Sequence, residues 1–125
     1  MLMTNRVEIA RVEDYLHITF PGSFTMEAAR RAVDEMVEAC VREKCAKVLF
    51  DCRAMTGDLS VMNRFDIAKY GALKIPHTVR IAMIARDDLI LPDNFFENVA
   101  RNRGVRVTVF TEIDKALEWL KGSGS

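Results

Sequence analysis

Residues 47–60 read K-V-L-F-D-C-R-A-M-T-G-D-L-S, and the order of elements in the fold depends on how this stretch is parsed. Lys47-Val48-Leu49-Phe50 shows no alternation, the pattern of a strand buried on both faces. An acid, a thiol and an arginine follow at Asp51, Cys52 and Arg53, then a turn at Gly57-Asp58. Ser60 opens V-M-N-R-F-D-I-A-K-Y, which has helical period and predicts a helix to about Lys74. A two-sided strand that feeds straight into a helix points to a parallel sheet in an α/β protein.

Toward the N-terminus, Thr25 is a good N-cap and Glu27 sits in the first turn, where the helix dipole favours an acid. Met26, Ala29, Val33, Met36, Val37, Cys40 and Val41 form the apolar stripe of a helix reaching about Lys44. Arg30/Asp34, Arg31/Glu35 and Glu38/Arg42 are spaced for weak ion pairs on its wet face. Before it, Val7, Ile9 and Arg11 alternate with polar neighbours. Leu16, Ile18 and Phe20 alternate with Tyr15, His17 and Thr19. With a turn at Glu13-Asp14 between them, these runs predict an antiparallel hairpin, stopped by Pro21-Gly22.

Toward the C-terminus, Val79 to Ala85 reads as another buried strand, and Pro92 to Arg103 as a short helix closed by Gly104. Val105, Val107 and Val109 alternate with Arg106 and Thr108, as on an edge strand. Thr111-Glu-Ile-Asp114 resembles a capping box for a last helix that buries Ile113, Ala116, Leu117 and Leu120. The expected order is β-β-α-β-α-β-α-β-α: a mixed, mostly parallel five-stranded sheet covered by four helices, in one domain over residues 1–121. Residues 122–125, Gly-Ser-Gly-Ser, read as a flexible tail.

Lys plus Arg and Asp plus Glu both total 18, so the chain has no net charge. That argues against a nucleic-acid binder, which needs a positive footprint. No apolar run approaches membrane-spanning length, Met-Leu-Met-Thr is too short for a signal peptide, and a cytoplasmic protein is expected. Cys40, Cys45 and Cys52 lack C-x-x-C spacing and read as reduced, buried small hydrophobes.

This order, together with VLFDCRAMTGDLS, RIAMIARDD, FFENVARNRGVRVTVF and TEIDKALEWL, resembles the SpoIIAA-like (STAS/SEC14) family of small bacterial proteins. That family lies within the STAS superfamily, whose founding members are anti-sigma-factor antagonists. The resemblance implies a STAS fold, no catalytic activity and no cofactor. It also implies a role in protein–protein regulation, while SEC14 relatives hold lipids in an apolar cavity. In the antagonists a serine near the start of the second helix is phosphorylated within a D-S-S-G-like motif. By position that serine falls at Ser60, but here Gly57-Asp58-Leu59 precede it, and Val61 and Met62 replace the small residues that follow.

Ligand sites in open α/β sheets lie beyond the carboxyl ends of the strands, so Asp51, Arg53, Ser60, Arg86 and Asp87 are expected to converge as a regulatory loop site. His17 and His77 are not expected to reach Ser60 or Cys52, which leaves no nucleophile–base pair. Asp87-Asp88 reads as a strand-ending turn, and Arg101, Arg103 and Arg106 as a solvated face. No phosphate-loop, zinc or nucleophile-elbow motif occurs.

Two features call for a partner. The second helix carries Val61, Met62, Phe65, Ile67, Ala68, Tyr70, Ala72 and Leu73, too apolar for one buried stripe. Met62, Phe65 and Tyr70 are candidate anchors of a homodimer or of a contact with another protein. Leu89-Ile90-Leu91-Pro92, followed by Phe95-Phe96, is a greasy connection. Either Leu89 and Leu91 plug the core while Ile90 touches a dimer mate, or the segment is a flap over an apolar pocket, also lined by Met55 and Met62, for a lipid or other apolar small molecule.

Overall fold

A computed structural model describes residues 7–20, 22–57, 59–89 and 95–122 of the chain. Its strands are β1 (Glu8–Val12), β2 (Tyr15–Thr19), β3 (Lys47–Asp51), β4 (Arg80–Ile84) and β5 (Arg106–Phe110). Its helices are α1 (Met26–Glu43), α2 (Val61–Lys74), α3 (Phe95–Arg101) and α4 (Ile113–Lys121). The sheet order is β1-β2-β3-β4-β5, antiparallel only between β1 and β2. Short turns allow the hairpin, whereas strands joined by helices must run parallel.

Leu16, Ile18, Val48, Ile81 and Val107 pack on one side of the sheet with Met36 and Ala39 of α1, Ala68 of α2 and Ala100 of α3. Tyr15, Leu49, Ala82 and Ile84 pack on the other side with Ala116 and Leu120 of α4. Three helices therefore cover one face and α4 the other. Because Lys47–Asp51 is sandwiched between them, Val48 and Leu49 are both fully buried although they point in opposite directions.

The helix starts follow local chemistry. Thr25 Oγ1 accepts from the Ala28 N–H at 2.9 Å. Ser60 and Asn63 form a reciprocal capping box at the start of α2, both bonds 3.0 Å long. α4 departs from the sequence reading: Glu112, not Thr111, holds the N-cap position, and no side-chain oxygen caps it. On α1, the buried stripe contains Ala28, Ala32 and Ala39, and Val41 is 71% exposed instead of buried. Alanines carry little hydrophobic signal in a periodicity count, so the stripe is rotated from the one the larger residues mark. Asp34 is drawn to α2 by the Tyr70 hydroxyl, which donates to it at 2.8 Å.

β5 lies at the edge, and α3 shields it. The Val109 N–H donates to Glu97 Oε2 at 2.8 Å, and Arg101 Nε donates to the Val107 carbonyl at 2.9 Å. An edge whose outward groups are already bonded is a poor template for another chain. Gly104 ends the α3 turn at φ +94°, and a Cβ there would press on the His77 ring. His77 Nδ1 bonds the Gly104 carbonyl at 3.0 Å, far from the loop after β3. Among the described residues, no helix is long and apolar enough to cross a membrane.

Candidate functional site

Asp51 closes β3 and is buried, with its carboxylate on the α4 side by strand alternation. Oδ1 accepts from the Arg53 backbone N–H at 3.1 Å and from Arg53 Nε at 3.0 Å. Oδ2 accepts from Arg53 Nη2 at 2.8 Å and lies 3.1 Å from His17 Nε2. The parallel register of β2 and β3 pairs Thr19 with Asp51, which brings His17, two residues back on the same face, within reach. The Arg53 side chain outweighs the opposing effect of burial, which by itself would raise the pKa, and holds the carboxyl down to about 2.

Arg86, just past β4, braces the same loop from the other direction. Its Nη1 donates to the carbonyls of Arg53 at 3.0 Å and Met55 at 2.7 Å, while Nε pairs with Asp88 at 3.1 Å. Asp51, Arg53 and Arg86 thus meet. Ser60 stands apart as the exposed cap of α2, and exposed Asp87 lies beside the Asp88 that Arg86 selects. His17 completes the group through cross-strand register, which no sequence motif announces. Burial, then the Asp51 charge, pushes the Cys52 thiol up to about 12, so it stays protonated at neutral pH.

Beneath this loop lies an apolar cavity of about 150 Å³ between the sheet and α1, α2 and α3. Its floor includes Phe50, Ile81 and Met83, and its roof includes Ala32, Ala68 and Gly71. The cause is visible in the helices. The buried residues of α2 are Arg64, Ala68 and Gly71, and α1 lines the cavity with Ala29 and Ala32 beside the larger Val33 and Met36. Where a helix usually sends Leu or Ile to the sheet, Ala29, Ala32, Ala68 and Gly71 send a methyl group or nothing.

Met55, Leu59 and Leu89 stand at one end of the cavity, with Phe95 and Phe96 along α3. Met62 is outside it and 63% exposed. Ile90 and Leu91, with the rest of 90–94, lie outside the described residues, as do Pro21, Asp58 and residues 123–125. The other two candidate anchors on α2 are engaged within the chain. Phe65 lies between Lys69 and Arg103, 5.1 and 5.2 Å from the ring centroid. Tyr70 has Arg30 and Lys74 over its ring as well as its bond to Asp34.

Arg64 is the residue the sequence hid. It sits in the first turn of α2, in a place that reads as surface, yet it is buried. Nη1 donates to the Leu59 carbonyl at 2.7 Å and Nη2 to the Leu89 carbonyl at 2.8 Å. One guanidinium therefore ties the loop after β3 to the turn after β4, across the cavity end. Burial lowers its pKa.

The family model described as SpoIIAA-like matches residues 15–121. The chain belongs to the SpoIIAA-like family. Among solved structures, this SpoIIAA-like fold is similar to an anti-sigma factor antagonist from Mycobacterium paratuberculosis, at 14% identity and a TM-score of 0.64 over 93% of each chain. At that identity the likeness establishes the STAS fold alone. No curated protein matches the chain.

Proposed function

We propose that this SpoIIAA-like domain is a non-enzymatic regulatory module that works through protein contacts, with the outer face of α2 as its contact surface. The observation that carries the reading is the exposure of Val61, Met62 and Leu73, at 54%, 63% and 82%, on a single helix. Apolar side chains left on one helix face suit an interface. The solved protein of like fold is named as an antagonist of an anti-sigma factor, which is consistent with a protein as partner. A protonated Cys52 and a Ser60 hydroxyl engaged in capping also favour contact over catalysis.

The first partner to test is a second copy of the chain. Sedimentation at tens of micromolar should show a dimer for the wild type, and Met62→Asp with Leu73→Asp should shift it to monomer. A standard interface removes about 800 Å² from each partner, and two buried, unpaired carboxylates are enough to undo it. A wild type that sediments as a monomer removes self-association and leaves only other proteins as partners.

Ser60 is a cap first in this reading. Ser60→Asp should change stability by less than about 0.5 kcal/mol, because Asp caps well and suits the helix N-terminus, whereas Ser60→Ala should cost about 1 kcal/mol. Loss of association in Ser60→Asp but not in Ser60→Asn would make charge at this position a switch.

A second reading is favoured by one observation, the apolar cavity walled by Leu89, Phe95 and Phe96. In this reading the domain carries or senses an apolar small molecule. Retention of a small molecule in native mass spectra of freshly purified protein, lost on denaturation, is the result that supports it.

A further inference from the structure

Arg64 and Glu97 are the charged residues among those lining the cavity, and they differ in how they are paired. Glu97 already binds the Val109 N–H at the sheet edge. Arg64, only 9% exposed, donates to two neutral carbonyls, and no carboxylate among the described residues pairs with it. Taking a guanidinium out of water is costly, and buried charges are normally matched by an opposite charge. A guanidinium also carries five N–H donors in a planar fork that matches a carboxylate. Bonds to the Leu59 and Leu89 carbonyls account for two of the five.

We infer that the cavity binds a compact apolar carboxylate, with its ring or short chain in the void and its carboxylate on Arg64. This rests on the second reading above, that the cavity holds a ligand. The void sets the size: at about 150 Å³ it matches a body the size of benzene, not a long acyl chain. The walls supply apolar burial, and Arg64 supplies the single polar contact that orients the ligand. A dicarboxylate is disfavoured because its second charge would meet only apolar side chains.

The test is a titration of the full chain followed by amide NMR, with benzoate, toluene and decanoate as probes. Benzoate should shift the amides of Ala68, Gly71 and Met83 saturably and bind at least about tenfold more tightly than toluene, since only it gains a charge-assisted pair. Decanoate should bind more weakly than benzoate. Arg64→Met, which keeps the stem but not the charge, should lose benzoate by about tenfold and retain toluene. If that variant does not fold, the ranking of the three probes on the wild type still decides. No saturable shift with either benzoate or toluene sinks the ligand-carrying reading itself. Toluene binding as tightly as benzoate keeps the cavity as a site and overturns the carboxylate. Decanoate binding tighter than benzoate overturns the compact ligand, and benzoate shifts confined to exposed basic residues mark an adventitious ion only and overturn the proposal.

Discussion

Asp51→Ala will destabilise the domain by about 3 kcal/mol, read as a fall in the midpoint of urea unfolding at pH 7. The carboxylate accepts three bonds from Arg53 and faces His17, and charge-assisted bonds contribute roughly 1.5–3 kcal/mol each when buried. Arg53 is half exposed, so water screens part of that attraction and the sum stays at the low end. The same carboxylate sets an acid limit. Its pKa is about 2 in the folded chain against 3.8 for the free side chain. A depressed folded pKa means that the stabilisation is complete above the unfolded value and disappears as pH falls through the folded one. About 2 kcal/mol is therefore lost between roughly pH 4 and pH 2. Asp51→Asn should flatten that part of the profile. A wild-type profile that stays level over the same interval would show that the carboxylate is not held as described.

Arg64→Ala should cost about 2–3 kcal/mol. It removes two charge-assisted bonds and leaves the Leu59 and Leu89 carbonyls to find water, with the relief of a buried charge as the partial offset. The loss should also be local in a particular way. Amide exchange should quicken at residues 59–61 and 86–89 together, because one side chain joins both segments. Arg64→Lys should recover less than half of the loss, since a single ammonium cannot span two carbonyls as a planar fork does. A loss below about 0.5 kcal/mol, with exchange unchanged, would mean that the loops hold each other without Arg64.

The fold was legible because its signals are local. The unbroken apolar run at Lys47-Val48-Leu49-Phe50 marks a two-faced strand, Thr25 and Ser60 mark helix starts, and Gly104 marks a helix end. Each needs only neighbours within a turn or two. The candidate site was legible only in part, because its bonds cross the sheet. Asp51, Arg53 and Arg86 share one end of adjacent strands and could be grouped from topology. His17 reaches Asp51 through the β2–β3 register, which the sequence does not state. Strand-end topology and the position of the antagonists' serine both group Ser60 with Asp51, but the cap turns its hydroxyl toward its own helix. Arg64 escaped because an arginine in a helical run reads as solvated, and only the packed structure shows what lies over it. The cavity is a pattern of absence, made by Ala32, Ala68 and Gly71 where larger residues would fill the space. Small residues at inward positions were the available signal.

The order β1-β2-β3-β4-β5 also bears on how the chain is made. Strands sit side by side in the sequence in which they leave the ribosome, so each has its neighbour waiting when it emerges. A growing chain can lengthen the sheet one unit at a time, without holding a gap open for a strand not yet synthesised. α4, the last element of the domain in chain order, then closes the face left bare over β3, β4 and β5, and Arg80 fastens its end through the Trp119 and Gly122 carbonyls. Until that helix arrives, Leu49 and Ile84 face water, and a ribosome-bound chain stalled before Ile113 should be the form that chaperones hold.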